Sequence, residues 1–523
     1  MNASISRRAR DEDVEDRDGL PPEEICDRAR LARDRRFDGR FFTGVRTTGI
    51  YCRPVCPVVP ARSRNVRFFV SAPAAELAGF RPCLRCRPET APGSPAWRGS
   101  GATVSRALAL INRGLLDERR LPDFAASMGV GARHLTRLFV KHCGAPPGVF
   151  ARSRRVQTAK RLLDETDLSM AHVAFASGFA SLRRFNAAFR ETYGWPPSRL
   201  KRRPNPRGVG DMIALRLNYR PPYDWPLTLR LLALEAVPGV EHVAGVEYSR
   251  TVSVGDATGW LGVAPIRDES AFSLSLWLPE YSGLGGVVAR AQTMLDLTAD
   301  SDRIEEAMAA CIRARVASGR LPGLRLPGSW DGFETAVRAV VERDVGRERA
   351  SAVMSTLVQQ LGRPVAISAR PALTRVFPGA QRLVSASLRC CGLSAQGEIG
   401  VHRLARAVAE DRIRFDGGMV FGELVAALVA DGGLDRAAAD WVGMRTLAEP
   451  DVDLADALPL SSRQRAWWRV PATQAALRPW RSYAALLLWL SCRSETRASG
   501  GSRSARGRRS WGLLPSASGP SRR

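Results

Sequence analysis

Four cysteines lie close together in the first hundred residues of this 523-residue chain: Cys52, Cys56, Cys83 and Cys86. They form a C-x3-C pair and a C-x2-C pair with 26 residues between them. Each short pair lets two thiolates reach one ion, and two pairs complete a tetrahedral four-thiolate zinc site. A region this small has little core of its own, so zinc would supply much of its folding free energy. The spacing therefore predicts one zinc ion held by four cysteines, and by itself favours a structural role for that ion.

The residues around these cysteines indicate a further role for one of them. The run GVRTTGIYCRPVCP, followed by NVRFF and then GFRPCLRCRPE, closely resembles the N-terminal domain of the Ada-type alkylation-response proteins over about 50 residues. In that family one zinc thiolate is also a nucleophile, which takes a methyl group from a DNA methylphosphotriester irreversibly and once per molecule. The resemblance implies that Cys52 is the methyl acceptor and that Cys56, Cys83 and Cys86 complete the metal site.

The chemistry of such a site is reasonable from first principles. Zinc keeps a thiolate deprotonated at neutral pH, so a nucleophile is always available. Four thiolates on one divalent ion leave a net charge of about −2, which favours attack on an alkyl carbon. Methylation of one sulfur removes a negative charge beside the DNA backbone and should strengthen DNA binding. Four arginines near the cysteines are candidate phosphate contacts, or else a solvated basic face: Arg46, Arg53, Arg81 and Arg85.

A second chemistry is indicated from residue 211 to about 492. The segments LNYRPPYDWPLTLRLLALEAVPGVEHV, GLRLPGSWDGFETAVRAVV and RPWRSYAALLLWL resemble the AlkA-type 3-methyladenine DNA glycosylases. Such enzymes flip an alkylated base into an aromatic pocket. A carboxylate then stabilises the oxocarbenium character that develops on the sugar as the base leaves. Trp480, Arg481 and Tyr483 match the family's closing helix, which implies that Trp480 and Tyr483 line the base pocket.

This part of the sequence departs from the family where the chemistry would take place. The family's helix-hairpin-helix turn reads roughly Pro-Gly-Ile-Gly-x-Trp, whereas residues 432–437 read GGLDRA, with Asp435 at the second glycine. The counterpart of the catalytic aspartate is Ala457. Asp456, one residue away, is the candidate carboxylate if the loop shifts locally. The alternative is that Asp453 and Asp456 are solvated loop carboxylates.

Two similar half-motifs lie between these regions: LPDFAASMGVGARHLTRLFVKHCGAPPGVF and LSMAHVAFASGFASLRRFNAAFRETYGWPPSRL. Each predicts a helix, a glycine turn and a second helix with apolar residues at i, i+3 and i+4, which is typical of helix-turn-helix units. The doubled motif resembles the DNA-binding domain of AraC-type transcription regulators. Arginine suits guanine and asparagine suits adenine. The candidate groove-facing residues, or else phosphate contacts or plain surface, are Arg133, His134, Arg137, Arg183, Arg184 and Asn186.

Composition agrees with a nucleic-acid partner. The chain has 78 basic and 52 acidic residues and a formal charge of +26, which favours polyanions. Its hydrophobic content of 45% excludes a mostly disordered chain. No stretch of 18 apolar residues occurs, so no transmembrane helix and no membrane partner are expected. The N-terminus lacks the apolar core of a signal peptide, which predicts a cytoplasmic protein. The family resemblances, with DNA as the partner, imply that it is bacterial and associated with the nucleoid.

These regions predict a multidomain α+β fold: a small zinc domain, an all-α double helix-turn-helix domain, and an α+β lobe followed by an all-helical, helix-hairpin-helix lobe. The predicted boundaries are a disordered leader at 1–20, the zinc domain at 21–92, a linker at 93–102, the DNA-binding domain at 103–204, the α+β lobe at 211–300, the helical lobe at 301–492 and a disordered basic tail at 493–523.

Three functions remain open at this point. The first is an alkylation-response fusion, with a zinc methyl acceptor coupled to transcription activation and a 3-methyladenine glycosylase behind it. The second is a methylation-sensing activator whose glycosylase lobe binds DNA without excising bases. The third is a plain transcription regulator with a structural zinc. The expected partners are double-stranded DNA, both alkylated and promoter, and RNA polymerase.

Overall fold

A computed structural model gives the fold of most of the chain. It describes residues 20–34, 37–86, 88, 102–112, 114–166, 168–200, 212–255, 257–279, 283–312, 322–365, 367, 369–417, 419 and 421–498. The leader predicted at 1–20 and the linker predicted at 93–102 lie almost wholly outside these ranges, as does the tail from residue 499. Among the helices that are described, none is long and apolar enough to cross a membrane.

The first domain is a four-stranded sheet in the order β3-β1-β2-β4, with two short helices. Its elements are α1 (Glu23–Leu31), β1 (Phe42–Val45), β2 (Ile50–Cys52), β3 (Val66–Phe69), α2 (Ala72–Leu77) and β4 (Arg81–Pro82). Strand β1 pairs antiparallel with β2 and β3, whereas β4 joins β2 in parallel. The core is small and aromatic, with Phe41, Tyr51 and Phe69 almost fully buried.

The second domain is helical, as the half-motifs predict. Its elements are α3 (Ala102–Asn112), α4 (Leu115–Glu118), α5 (Leu121–Ala126), α6 (Ala132–Cys143), α7 (Pro147–Glu165), α8 (Met170–Ala176) and α9 (Leu182–Tyr193). Helices α6 and α9 both end at a glycine with positive φ, Gly144 at 76° and Gly194 at 82°, a backbone conformation that glycine adopts at little cost. The 19-residue helix α7 connects the two helix-turn-helix halves.

The third region is an antiparallel sheet in the order β5-β9-β8-β7-β6 with flanking helices. Its elements are β5 (Ile213–Asn218), α10 (Trp225–Glu235), β6 (Glu241–Ala244), β7 (Glu247–Val254), β8 (Ala257–Pro265), β9 (Ala271–Trp277) and α11 (Leu284–Met294). Buried Ile213, Leu215 and Leu217 alternate with more exposed residues along β5, as in a strand with one face toward the core.

The last region is helical. Its elements are α12 (Ser301–Ile312), α13 (Gly332–Val345), α14 (Arg347–Leu361), α15 (Ala380–Leu383), α16 (Ala395–Ala409), α17 (Phe421–Ala430), α18 (Arg436–Leu447), α19 (Ser462–Trp468), α20 (Pro471–Leu477) and α21 (Arg481–Ala498). Helix α21 continues past residue 492, so the first residues of the segment predicted as a disordered tail are helical.

The second helix-turn-helix half and the sheet lobe share one hydrophobic core. Val156 of α7 and Phe185 of α9 belong to the same buried cluster as Leu215 of β5. At the edge of this cluster the backbone N–H of Arg216 donates to Glu165 Oε2 at 2.9 Å. The two regions therefore pack against each other around one continuous core and are not separate domains joined only by a linker.

Polar contacts join the remaining regions. Arg106 Nε of α3 donates to the carbonyl of Gly417 in the helical lobe at 3.0 Å. Arg40 of the zinc domain forms an ion pair with Asp300, just before α12. The zinc domain and the first helix-turn-helix half therefore each contact the C-terminal half of the chain.

Candidate metal centre and nucleic-acid interface

The sheet of the first domain brings the two cysteine pairs together. Because β2 and β4 are parallel neighbours, their C-terminal ends meet at the same edge, with Cys52 closing β2 and Cys83 following β4. The backbone N–H of Cys83 donates to the carbonyl of Tyr51 at 2.9 Å. Cys56 and Cys86 come from the turns that follow. All four Sγ atoms lie within 4.8 Å of one another.

This donor set fits zinc. A tetrahedral zinc ion with Zn–S bonds of about 2.3 Å separates its sulfurs by about 3.8 Å, so little contraction of the cluster is needed. Thiolates this close to one another repel, which disfavours ionisation of all four unless a cation offsets their charge. A divalent cation supplies that charge.

The four thiols differ in their access to solvent. Cys83 and Cys86 are buried, whereas Cys52 and Cys56 are only half-buried. A thiolate that reacts with DNA must be reachable, which suits the first pair better than the second. Exposure does not separate Cys52 from Cys56, so the choice of Cys52 still depends on the family resemblance.

Arg53, which the sequence suggests as a phosphate contact, supports the metal site from inside. Its guanidinium forms an ion pair with Asp38, and both side chains are about nine-tenths buried. Arg53 Nη1 also donates to the carbonyl of Cys86 at 3.1 Å, and its backbone N–H donates to Cys86 Sγ at 3.4 Å. These contacts fix the second cysteine pair against the first.

The other candidate arginines of this domain lie nearer the surface. Arg46 is exposed in the turn between β1 and β2, and Arg85 is exposed between the second pair of cysteines. Arg81, at the start of β4, is half-buried. Their use as phosphate contacts stays a prediction.

A buried carboxylate connects the metal domain to the helix-turn-helix domain. Tyr51, which precedes Cys52, donates its hydroxyl to Glu76 Oε1 at 2.8 Å. The same oxygen accepts from Ser153 Oγ at 3.1 Å and from Gln157 Nε2 at 3.4 Å, both on α7. Burial raises the pKa of Glu76. Sequence reasoning missed this junction, since no local spacing relates Glu76 to residues some eighty positions further on.

Helix α6 presents a basic face to solvent. Arg133, His134 and Arg137 are all exposed, and Arg137 Nη2 lies 3.0 Å from His134 Nδ1. A shallow surface on this helix is lined by Ala132, Arg133, Thr136, Arg137, Val140 and Lys141. Lys141 lies on the same face, two turns beyond Arg133, and its spacing of i+8 was the signal that could have identified it.

Helix α9 presents a different surface at the corresponding positions, fifty residues further along. The residues predicted to face the groove are the exposed Arg183 and Arg184 and the half-buried Asn186. Ala187 stands where α6 has Arg137, and Glu191 stands where α6 has Lys141. Glu191 is paired with Arg152 at 2.7 Å. The field of α9 is therefore less positive toward its C-terminus than that of α6.

The two aromatic residues predicted for the base pocket meet at the start of α21. The rings of Trp480 and Tyr483 lie edge to face, 5.8 Å apart. Tyr483 is buried and donates its hydroxyl to Asp296 Oδ2 at 2.7 Å. Burial raises the pKa of Asp296 to about 6. Tyr483 is thus fixed to the sheet lobe, and half-buried Trp480 is the more accessible ring of the two.

A further aromatic residue lies near this pair. Trp441 of α18 is half-buried and packs on the same hydrophobic cluster as Trp480. The guanidinium of Arg445 lies 5.3 Å from its ring centre, one helical turn away. Sequence reasoning did not single out Trp441, although its position on the helix after the hairpin was the available signal.

Asp456 and the hairpin differ from what the family pattern implies. Asp456 is highly exposed, with ion pairs to Arg469 at 3.3 Å and Arg465 at 3.7 Å. In the hairpin, Asp435 Oδ1 accepts from the backbone N–H of Ala438 at 2.8 Å and so caps α18. Asp435 therefore accepts a hydrogen bond from a backbone amide at the start of α18. Without this aspartate the same amide would be free to bind a phosphate.

Comparison with known proteins agrees with this architecture. Three family models match successive parts of the chain: the metal binding domain of Ada at residues 25–89, a helix-turn-helix domain at 124–203 and the AlkA N-terminal domain at 214–331. The fold and site thus define a protein that joins a zinc-thiolate domain, a DNA-binding domain and a glycosylase-type lobe.

Similarity to one relative extends over nearly the whole length. The chain is 36% identical over 478 residues to the "Probable bifunctional transcriptional activator/DNA repair enzyme AlkA" of Mycobacterium tuberculosis, covering 89% of this chain and 96% of that protein. The chain belongs to this family of bifunctional transcriptional activator/DNA repair enzymes.

Two relatives from Escherichia coli match opposite ends of the chain. "DNA-3-methyladenine glycosylase 2" is 28% identical over 278 residues, which is 52% of this chain and 95% of that protein. "Bifunctional transcriptional activator/DNA repair enzyme Ada" is 33% identical over 168 residues, which is 31% of this chain and 45% of that protein.

These findings decide several of the predictions. The predicted fusion, the multidomain α+β fold and one zinc ion held by four cysteines are confirmed. A bifunctional role in transcription activation and DNA repair, with DNA as the partner, is confirmed as well. A catalytically inactive C-terminal lobe is not favoured, and a plain regulator with a structural zinc does not account for the family.

Proposed function

We propose that Cys52 accepts a methyl group from DNA methylphosphotriesters and that the C-terminal lobe excises 3-methyladenine and related alkylated bases. The observation that carries the first part is the convergence of four Sγ atoms within 4.8 Å, with Cys52 half-buried on the accessible side. The functional units are the predicted ranges 21–92, 103–204 and 211–492.

The methyl transfer is a single displacement by the Cys52 thiolate. When bound, zinc keeps the four thiols ionised at neutral pH and so makes the sulfur nucleophilic. Cys52 Sγ forms a bond to the methyl carbon while the carbon–oxygen bond of the phosphotriester breaks. The electron pair stays on the phosphate oxygen, which leaves an ordinary phosphodiester anion and a thioether on Cys52. Arg46, Arg81 and Arg85 hold the neighbouring phosphates.

Methylation is coupled to DNA binding in two ways. The cluster loses one negative charge, which reduces repulsion of the phosphate backbone. Strand β2, which carries Cys52, is also tied through Tyr51 and Glu76 to α7. Since α7 lies between the two recognition helices, this contact supports a transfer of small displacements at the metal site to α6 and α9. The exposed basic residues of these helices read the promoter.

Two further features complete the proposal. Once bound at a promoter, the activator contacts RNA polymerase, and the protein acts in the bacterial cytoplasm in association with the nucleoid. In the C-terminal lobe, the exposed faces of Trp441 and Trp480 stack on the flipped base, and a carboxylate of residues 451–456 stabilises the sugar cation.

Methyl uptake from labelled DNA tests the assignment of Cys52. The full chain is incubated with duplex DNA that carries radioactive methylphosphotriesters, and the label on protein is located by peptide mapping. Cys52→Ala is expected to take up no label. Cys390→Ala, which removes an exposed thiol of the C-terminal half, is the matched control and retains full uptake. Undiminished uptake by Cys52→Ala overturns the assignment.

A further inference from the structure

The segment that precedes α19 has three carboxylates but lacks one at the position where the family has its catalytic aspartate. That position is Ala457, whereas Asp451, Asp453 and Asp456 lie just before it. A carboxylate that stabilises a developing sugar cation needs a fixed orientation and a negative charge that is not already neutralised by a neighbouring cation. These two requirements distinguish the three residues.

Two of the three carboxylates are already paired with arginines. Asp451 accepts from Arg481 Nε at 2.8 Å and lies 3.5 Å from Arg478. Asp456 is paired with Arg465 of α19 and with Arg469, which follows that helix. In either case the positive charge that develops on the sugar would compete with guanidinium groups already bound to the carboxylate. The carboxylate would therefore stabilise that charge little.

Asp453 is held only by neutral donors. Its Oδ1 accepts from the indole N–H of Trp468 at 2.7 Å and from the backbone N–H of Ala455 at 3.2 Å. Its Oδ2 accepts from Gln474 Nε2 at 3.3 Å. Among the residues that the structure describes, no Lys, Arg or His forms an ion pair with Asp453. Hydrogen bonds to both oxygens thus fix the orientation of the Asp453 carboxylate. The residue is exposed, and its negative charge is not paired with a cationic side chain of the described residues.

Asp453 also lies between the elements that carry the two accessible aromatic rings. Gln474, which donates to Asp453, accepts from Arg481 Nη1 at 3.1 Å, and Arg481 follows Trp480. Asp453 also interacts electrostatically with Asp440 of α18, the residue before Trp441. Burial raises the pKa of Asp440 and the charge of Asp453 adds to this effect, so the two carboxylates are close.

We infer that Asp453, and not Asp456, is the catalytic carboxylate of the glycosylase reaction. The inference rests on the proposed function of the lobe. In the reaction the bond between C1′ of the sugar and the base nitrogen breaks, and its electron pair leaves with the base, which becomes neutral. The Asp453 carboxylate stabilises the positive charge on C1′. A water molecule then adds to C1′ and releases its proton to solvent.

Release of 3-methyladenine from methylated duplex DNA by the full chain tests the inference. Asp453→Asn keeps one oxygen for Trp468 and removes the charge, so we expect a loss of about a hundredfold or more. Asp456→Asn is expected to stay within about threefold of the parent. Glu348→Gln removes an exposed charge on α14 of the same lobe and serves as the control with unchanged release.

The outcomes distinguish the assignment of Asp453 from the glycosylase function of the lobe. Release that persists in Asp453→Asn, or that is lost in Asp456→Asn, overturns the assignment of Asp453 while the lobe remains a glycosylase. No release by the parent overturns the glycosylase function itself. Near-ultraviolet circular dichroism checks that the aromatic packing of each variant matches that of the parent. If Asp453→Asn does not fold, Asp453→Ser removes the charge with a smaller side chain, and release of base by this variant at the parent rate overturns the assignment of Asp453.

Discussion

The two chemical centres of this protein are built in contrasting ways. At the metal centre, two neighbouring parallel strands and their following turns supply all four donors, which are thiols that bind the same ion. In the C-terminal lobe, the aromatic rings and carboxylates come from α18, α21 and the segment between α18 and α19, and each has neighbours of its own. Loss of one cysteine leaves the zinc ion with an incomplete set of ligands. In the C-terminal lobe, by contrast, a neighbouring residue of the same type can take over the role of one that is lost.

Removal of zinc should have the largest effect, because all four cysteines of the metal centre depend on this one ion. Binding of structural zinc typically contributes about 10 kcal/mol or more to folding. We expect Cys83→Ser, or the parent with a strong chelator, to lose methyl uptake and the thermal transition of the zinc domain. Calorimetry of the full chain measures this, with Cys390→Ser as the control. An unchanged transition in the zinc-free protein contradicts the role of the metal in folding.

The junction of Asp296 and Tyr483 should show a smaller effect that depends on pH. Burial raises the pKa of Asp296 from 3.8 to about 6, so the folded state favours the neutral carboxyl. The stability gained from protonation is fully present below about pH 4 and is lost as pH rises through 6. At 1.36 kcal/mol per pKa unit this amounts to about 3 kcal/mol.

Denaturant unfolding of the parent and of Asp296→Asn between pH 4 and 7 measures this contribution. The asparagine variant cannot titrate at this position, so its free energy of unfolding should fall less over the same range. Parallel curves for the two proteins would show that Asp296 has the same pKa in the folded and unfolded states.

The Glu76 junction should have the smallest effect on stability and a specific effect on regulation. Glu76→Gln replaces the shared acceptor of Tyr51, Ser153 and Gln157 with an amide. We expect the gain in promoter affinity on methylation to fall about tenfold, within the usual range of coupling free energies, while methyl uptake changes little. Promoter binding before and after methylation measures the gain, and the exposed Glu24→Gln is the control. An undiminished gain would leave the change of charge as the sole means of coupling.

The parts that could be predicted from sequence are those that depend on local spacing. The cysteine pairs, the two helix-turn-helix halves and the alternating strand β5 all repeat at short, regular intervals. Two recognition helices that end at Gly144 and Gly194 follow directly from the repeated half-motif. Such features are visible because neighbouring residues in the chain satisfy the physical requirement among themselves.

The parts that sequence reasoning missed depend on partners far along the chain. From the sequence alone Arg53 is predicted to be a basic surface residue. In the fold it lies beside Asp38 and forms an ion pair with it. Asp456 is the nearest carboxylate to the missing one in the linear sequence, yet its two arginines lie in and directly after the following helix. Trp441 and Glu76 likewise acquire their surroundings only when distant elements pack together.

Helices α7–α9 share a hydrophobic core with the sheet lobe. The parts of the chain that serve gene control and repair are therefore packed into one structural unit. Cutting the chain between these regions would expose apolar surface on both fragments, so the two activities cannot be divided between separate molecules without cost. A copy that occupies a promoter carries its excising lobe with it and is withdrawn from the search for damage elsewhere. Each cell must therefore balance the copies that report alkylation against the copies that remove it.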